Sequence, residues 1–126
     1  MRAYERLLRY AQFDTASCES SDSCPSTPGQ LVLARALRDE MLEMGLSNVR
    51  LDEHGYLYAE IPANAEGFPA IGLIAHMDTV DEAPALPMNA RIVEKYDGGD
   101  VMLSEGCVLS PAVFPLLRDA AGEDLI

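Results

Sequence analysis

The sequence has few basic residues and no apolar run long enough to cross a membrane. Its 126 residues include 9 Lys and Arg against 21 Asp and Glu, a formal net charge of −12. Because so acidic a chain repels phosphate, binding to nucleic acid or to an anionic membrane surface is not expected. The longest apolar run, residues 68–75, is far shorter than the roughly 20 residues of a transmembrane helix.

The first residues do not look like a signal peptide and the sequence has no C-x-x-C pair, so we expect a cytoplasmic location. Residues 1–6 have no apolar core of the kind that a signal peptide needs. Cys18, Cys24 and Cys107 are an odd number of cysteines, which fits free thiols in a reducing compartment. A disulfide between Cys18 and Cys24, which share a serine-rich loop, is the less favoured alternative.

Apolar periodicity and turn residues predict helices that alternate with short strands. We expect a single domain of the α/β class, because the chain is short and its elements are mixed along the sequence. The segment that starts at Thr27 carries an N-cap, a proline at the first helical position and a capping box completed by Gln30. The predicted elements are helices over 3–13, 28–45 and 110–122, hairpins over 48–61 and 91–103, a buried strand over 70–75, and a loop over 80–89.

One pair of residues in the sequence has the chemistry of a metal site. His76 and Asp78 directly follow the predicted strand 70–75, and residues two apart in an extended chain point to the same side. The carboxyl end of such a strand is where open α/β sheets place their ligands. Neutral imidazole is a good zinc ligand, and a nearby carboxylate can orient the ring and raise its basicity.

H-x-D is a weak motif by itself, and a structural role is the alternative. Asp78 could cap backbone donors while His76 is simply a polar residue at the end of a strand. Four further residues have possible chemistry, each with an ordinary explanation. They are His54 in a predicted turn, Asp81 and Glu82 in a loop, and Cys107 near a predicted helix start, where a thiolate or a buried inert thiol is expected.

Six stretches in order along the chain are far more specific than this pair. They are residues 25–30, 43–49, 61–64, 69–79, 92–100 and 109–117. Together they resemble the N-terminal part of the tripeptide aminopeptidases in the M20 family of zinc peptidases. The resemblance covers nearly the whole chain. It implies that residues 1–126 form the leading part of a mixed-sheet catalytic domain with flanking helices.

The resemblance also implies roles for two residues. His76 matches the first metal-binding histidine of the family, and Asp78 matches the active-site aspartate that orients it. Family members hold two zinc ions, use a glutamate as general base and release the N-terminal residue of a tripeptide. The bridging carboxylate, the paired glutamates, a late histidine and the lid and dimerisation domain have no counterpart here. The 126-residue chain alone is therefore expected to be inactive.

Two other functions stay open from the sequence. The chain could belong to another M20 hydrolase, such as an amidase, deacylase or dipeptidase, since these relatives share the H-x-D pair. It could also be a non-catalytic module that kept only the start of the fold. In every case, strands without neighbours are expected to promote self-association of the chain.

Overall fold

The computed structural model describes residues 1–82 and 90–126, which form helices and short antiparallel sheets in a small α/β arrangement. One compact unit contains Met1–Leu8 and the described part of Asn89–Ile126, and the other contains the described part of Arg9–Met88. The elements are α1 Ala3–Tyr10, α2 Pro28–Glu43, β1 Ser47–Leu51, β2 Leu57–Glu60, β3 Val101–Ser104, β4 Cys107–Leu109 and a 3-10 helix Pro115–Ala120. The predicted loop over 80–89 lies largely outside the described residues. No helix in the described ranges is long and apolar enough to span a membrane.

The first helix, α1, ends three residues before the predicted position. It runs from Ala3 to Tyr10. Beyond it, the amide of Phe13 donates to the carbonyl oxygen of Tyr10 at 3.1 Å. Such a bond between residues three apart tightens the chain into a turn, which is a usual way for a helix to end.

The long helix α2 forms as predicted, but its first turn is not held by the expected capping box. Thr27 has the extended backbone of an N-cap residue, yet its side chain makes no capping hydrogen bond. The Thr27 hydroxyl instead donates to the carbonyl oxygen of Ala16 at 2.8 Å, and Gln30 Nε2 donates to Ser26 Oγ at 3.2 Å. The predicted capping box is wrong because the side chains of Thr27 and Gln30 bond to the preceding loop instead.

The end of α2 is a complete Schellman motif. Gly45 takes φ +77°, as the sequence predicts for a left-handed residue after a helix. The amide of Gly45 donates to the carbonyl of Leu42 at 3.0 Å, and that of Leu46 donates to Met41 at 3.1 Å. These two bonds satisfy carbonyl groups that the helix end leaves open.

The hairpin that follows packs against α2 and completes the core of this unit. Strands β1 and β2 are antiparallel, with Leu51 opposite Leu57, and both contact α2. The Asp52 side chain closes the turn by accepting hydrogen bonds from the amides of His54 and Tyr56 at 3.0 and 2.9 Å. Among the described residues of this unit, Leu33 and Ala34 of α2 are the buried apolar ones.

The second predicted hairpin is wrong in its pairing. Strand β3 pairs with β4 across the short turn at Glu105 and Gly106, where Gly106 takes φ +77°. Val93 instead forms an isolated antiparallel bridge with Leu125. The closer sequence partner prevails because a two-residue connection costs less chain entropy than a long loop.

Tyr96 is the buried centre of the unit that contains this hairpin. It is 2% exposed, its hydroxyl donates to the carbonyl of Gly99 at 2.5 Å, and its amide donates to Glu123 at 2.8 Å. The amide of Gly122 donates in turn to the carbonyl of Tyr96 at 2.7 Å. Bonds to residues 122 and 123 therefore hold the main chain of Tyr96, and the bond to Gly99 holds its ring.

The predicted helix over 110–122 is replaced by the short 3-10 helix Pro115–Ala120. Pro115 explains the difference, because its ring would clash with the carbonyl of Pro111 in a continuous α-helix and it has no amide to donate. The apolar face predicted for this helix is therefore not buried, and Val113 and Phe114 are exposed.

The largest departure concerns the predicted buried strand over 70–75. Residues 68–78 form no helix, turn or strand, and Leu73 and Ile74 are 94% and 100% exposed. A strand forms only where another strand supplies hydrogen-bond partners. Among the residues that the structure describes, none pairs with this segment before Thr79.

Candidate metal-binding site

The structure brings His76 and Asp78 into direct contact. His76 Nδ1 lies 2.8 Å from the carbonyl oxygen of Asp78 and 3.2 Å from its Oδ1. Both side chains remain accessible, at 85% exposure for His76 and 50% for Asp78. A histidine whose Nδ1 is held by oxygen atoms presents Nε2 as the metal-binding nitrogen.

The position of this pair is fixed by the residue that follows it. The amide of Thr79 donates to the carbonyl oxygen of Thr15 at 3.0 Å. The amide and the hydroxyl of Ser17 donate to the carbonyl oxygen of Thr79 at 2.9 and 3.0 Å. These bonds form a parallel bridge that ties the end of segment 68–78 to the loop before α2.

That loop is in turn held closely against the start of α2. A Cβ atom added at Gly29 would lie 1.8 Å from the backbone carbonyl oxygen of Asp14. Only glycine permits this approach of helix and loop. Helix α2 therefore holds residues 14–17 in place. These residues hold Thr79, and Thr79 fixes the position of His76 and Asp78.

Sequence reasoning missed the residues that anchor the pair. Thr15 is 3% exposed, and the hydroxyl oxygen of Thr79 is buried without a hydrogen-bond partner in the described residues. Thr79 directly follows Asp78 in the sequence, but a threonine at that position does not predict a hydrogen bond to residue 15. Such a long-range pairing has no local pattern.

The other candidates do not join the pair. His54 is an exposed turn residue as expected, with Nε2 3.7 Å from Glu53 Oε1. Cys107 lies exposed on β4, neither buried nor at a helix start. The three cysteines are free thiols, as predicted. Asp81 and Glu82 are exposed.

The ligand set in this chain is small. Within residues 1–82 and 90–126, no group of three or more His, Cys, Asp or Glu side chains could hold a metal ion together. A catalytic zinc normally takes three protein ligands. His76 has the chemistry of one ligand and Asp78 that of its orienting carboxylate, so the described residues fit one part of a zinc site.

The sequence of this chain is similar to those of known peptidases. The relatives are named peptidase T, and those from Vibrio parahaemolyticus, Aeromonas salmonicida and Bacillus licheniformis are 52%, 53% and 47% identical to it. Each match covers 97% of this chain, and the chain spans 30% of the length of each relative. No family model matches the chain. The chain is homologous to peptidase T, and the matches are consistent with the N-terminal portion of that protein.

Proposed function

We propose that this chain is the N-terminal part of the catalytic domain of a zinc-dependent aminopeptidase that releases the N-terminal residue of tripeptides. The observation that carries the proposal is the contact of His76 Nδ1 with two oxygen atoms of Asp78, at 2.8 and 3.2 Å. A match to peptidase T that covers 97% of this chain supports the proposal independently. Residues 1–126 form this part, and a lid and dimerisation domain belongs outside it.

Each of the two residues has a separate task. His76 would bind zinc through Nε2, because Nδ1 is already directed at Asp78. Asp78 holds the ring orientation and, through its negative charge, strengthens the imidazole as a ligand. Zinc, when bound, polarises the peptide carbonyl and lowers the pKa of a coordinated water molecule.

The chain alone is proposed to be inactive toward peptides. Its described residues supply one histidine ligand and one supporting carboxylate, whereas a two-zinc site needs several more ligands and a general base. These groups would come from the part of a peptidase T chain that has no counterpart here. A single histidine ligand also predicts weak zinc binding by the isolated chain.

The charge of the chain fits small peptides as substrates in the cytoplasm. A net charge of −12 attracts metal cations and the positive N-terminus of a peptide. The same charge disfavours nucleic acid and anionic membranes as partners. Tripeptides are the substrate class that the proposal names.

A chimera tests the proposal. This chain replaces the matching segment of the Vibrio parahaemolyticus peptidase T, which is 52% identical, and hydrolysis of tripeptides is measured with zinc present. We expect the chimera to be active and the His76→Gln variant to lose activity, because glutamine has no imidazole nitrogen to bind zinc. The matched control is His54→Gln, which changes the only other histidine and should leave activity unchanged.

Four outcomes would contradict the proposal or a part of it. A folded chimera without activity would favour a non-catalytic module. Full activity in the His76→Gln chimera would remove this residue from the metal site. Hydrolysis of acylated amino acids in preference to tripeptides would favour another M20 activity. Hydrolysis of tripeptides by the purified 126-residue chain would overturn the proposed inactivity.

A further inference from the structure

The carbonyl oxygen that His76 contacts belongs to a peptide group that is also held at its other side. Nδ1 of His76 lies 2.8 Å from the carbonyl oxygen of Asp78. The N–H of the same peptide group is the amide of Thr79, which donates to the carbonyl oxygen of Thr15 at 3.0 Å. In a planar trans peptide group the N–H and the C=O point in opposite directions, so fixing one of them fixes the other. The bond to Thr15 therefore sets the direction of the carbonyl group that meets His76.

The peptide group on the other side of Thr79 is held by Ser17. The amide and the hydroxyl of Ser17 donate to the carbonyl oxygen of Thr79 at 2.9 and 3.0 Å, and together they occupy both lone pairs of that oxygen. A residue has only two soft backbone dihedrals. Because both of its peptide groups are bonded, Thr79 cannot rotate about either dihedral unless one of these hydrogen bonds breaks.

These hydrogen bonds also determine which nitrogen of His76 carries the proton. A carbonyl oxygen can only accept a hydrogen bond, so Nδ1 donates to Asp78 and Nε2 keeps the lone pair. The Nδ1–H group, the peptide group of Asp78 and Thr79, and the carbonyl oxygen of Thr15 form one chain of hydrogen bonds, in which each bond polarises the next. The tautomer of His76 therefore depends on how firmly this peptide group is turned toward the ring.

We propose that Ser17 is a positioning residue for His76. Its hydroxyl secures the carbonyl oxygen of Thr79, which keeps the peptide group of Asp78 and Thr79 turned toward the imidazole ring and keeps Nε2 free for zinc. The statement about zinc rests on the proposed function, whereas the statement about the ring concerns this chain by itself. Ser17 acts through the backbone of Thr79 and not by contact with zinc.

The partner of its hydroxyl distinguishes Ser17 from a serine that only shapes its own loop. Ser23 is such a serine, because its hydroxyl donates to the carbonyl oxygen of Pro25, two residues away, at 2.9 Å. The hydroxyl of Ser17 instead donates to a backbone oxygen 62 positions away, in the residue that directly follows Asp78. The two serines make bonds of similar length with different partners, so Ser23 is a matched control for Ser17.

Three variants change the number of donors to the Thr79 carbonyl oxygen in steps. Ser17→Thr keeps the amide and a hydroxyl, Ser17→Ala keeps the amide alone, and Ser17→Pro keeps neither. Proline restricts the residue before it to an extended backbone, which suits the parallel bridge of Ala16 with Thr79. Ser23→Ala is the control, and circular dichroism checks that each variant folds. If Ser17→Pro does not fold, the comparison of Ser17→Thr with Ser17→Ala decides.

The first measurement determines the tautomer of His76 in the 126-residue chain by NMR of the imidazole nitrogens. At about pH 8.5 imidazole is neutral, and one ring nitrogen carries the proton. We expect the Nδ1–H form to predominate in the parent chain and in Ser17→Thr. The ratio of the Nδ1–H to the Nε2–H form should fall at least about twofold for each donor removed, in Ser17→Ala and again in Ser17→Pro. Ser23→Ala should keep the parent ratio, and His54→Gln assigns the signals of the other histidine.

The second measurement, in the peptidase T chimera, asks whether the position of the ring affects zinc binding. In Ser17→Ala the zinc concentration for half-maximal tripeptide hydrolysis should rise about three- to tenfold, less than the 10–100-fold typical of a direct partner of the ligand. The maximal rate at saturating zinc should stay near that of the parent chimera. A loss of folded protein would instead lower the maximal rate and leave the zinc requirement unchanged. Ser17→Thr and Ser23→Ala should match the parent chimera in both quantities.

The two measurements separate failure of this proposal from failure of the proposed function. Equal tautomer ratios in the parent chain and in folded Ser17→Ala would refute the role of Ser17, and so would an equal fall in Ser23→Ala. A predominant Nε2–H form in the parent chain would also refute it. An active chimera whose zinc requirement is unchanged in Ser17→Ala would disprove the effect on zinc while the function stands. An inactive parent chimera would count against the function alone, because the tautomer ratios still decide the role of Ser17.

Discussion

His76 Nδ1 is held by two different oxygen atoms of one residue, the backbone carbonyl of Asp78 at 2.8 Å and its Oδ1 at 3.2 Å. The shorter contact is with the backbone. A protonated Nδ1 donates to both oxygen atoms, and the lone pair of Nε2 then points away for a metal. The backbone contact survives any substitution of the Asp78 side chain that keeps the local conformation.

This geometry predicts a moderate effect for Asp78→Asn in the peptidase T chimera. Loss of a carboxylate that supports a metal-bound histidine typically costs 10–100-fold in metal affinity or activity. Because the carbonyl oxygen still orients the ring, we expect a loss of about tenfold in kcat/KM. The measurement is tripeptide hydrolysis at several zinc concentrations.

The control for this prediction is Asp81→Asn, which removes the same charge from an exposed residue nearby. It should leave kcat/KM nearly unchanged. If Asp78→Asn abolished activity as fully as His76→Gln, the backbone contact would not be sufficient to orient the ring. If it had no effect, the Asp78 carboxylate would have no part in metal binding.

Gly29→Ala should destabilise the chain although it adds a better helix former to α2. Alanine is favoured over glycine inside a helix by about 1 kcal/mol. At this position its Cβ would lie 1.8 Å from the carbonyl oxygen of Asp14, and a backbone atom cannot move aside cheaply. We expect a net loss of about 1–3 kcal/mol in the free energy of unfolding, measured by denaturant unfolding.

Gly72→Ala is the matched control for Gly29→Ala. Among the described residues beyond its chain neighbours, no heavy atom lies within 4 Å of a Cβ built there, and its φ is not in the left-handed region. Its stability should change by less than about 0.5 kcal/mol. An unchanged stability of Gly29→Ala would show that helix and loop separate easily.

Gly45→Ala isolates the cost of a left-handed backbone at the end of α2. Gly45 has φ +77°, and a Cβ there meets no described atom within 4 Å, so only the backbone conformation opposes the change. We expect a loss of about 1–2 kcal/mol in unfolding free energy. Gly45→Asn should lose less, because asparagine tolerates this conformation. Equal losses in both variants would contradict this explanation.

Local patterns predicted the helix and hairpin of one unit because the deciding interactions are close in sequence. The Schellman motif at Gly45 and the turn closed by Asp52 each involve residues fewer than six positions apart. The capping box failed because Thr27 donates to Ala16, eleven positions away. The predicted helix does not continue through Pro115 because the proline ring would clash with the carbonyl of residue 111.

The same distinction applies to the candidate site. Spacing alone predicted that His76 and Asp78 would meet, and they do, since residues two apart share a side of an extended chain. The support from Thr15 and Ser17 could not be predicted, because it joins residues 62 positions apart or more. The strand over 70–75 failed for the same reason. An apolar run indicates a capacity to pair, but the partner strand decides whether pairing occurs.

Tyr96 predicts how the stability of its unit depends on pH. Burial, and then the charges of Asp97 and Asp100, raise the pKa of the Tyr96 phenol above its usual value. The folded chain therefore holds this proton to a higher pH than the unfolded chain does. Stability from Tyr96 is complete below the ordinary tyrosine pKa of about 10. It is lost as pH rises through the higher folded-state value.

Two measurements check this expectation. In an ultraviolet absorbance titration of tyrosinate, the parent chain should show a late step above the ordinary tyrosine pKa of about 10, and Tyr96→Phe should remove that step. In denaturant unfolding, Tyr96→Phe should lower the free energy of unfolding at neutral pH, because it removes the hydrogen bond to Gly99. Above about pH 10 its stability should fall less steeply than that of the parent chain.

Tyr56→Phe is the control for this pair of measurements, because Tyr56 is an exposed tyrosine. It should keep both the late ionisation and the alkaline loss of stability. If Tyr96→Phe and Tyr56→Phe declined equally above about pH 10, the alkaline loss would not arise from the buried phenol. If Tyr96→Phe removed no late step, the Tyr96 hydroxyl would not keep its hydrogen bond to the carbonyl oxygen of Gly99 in solution.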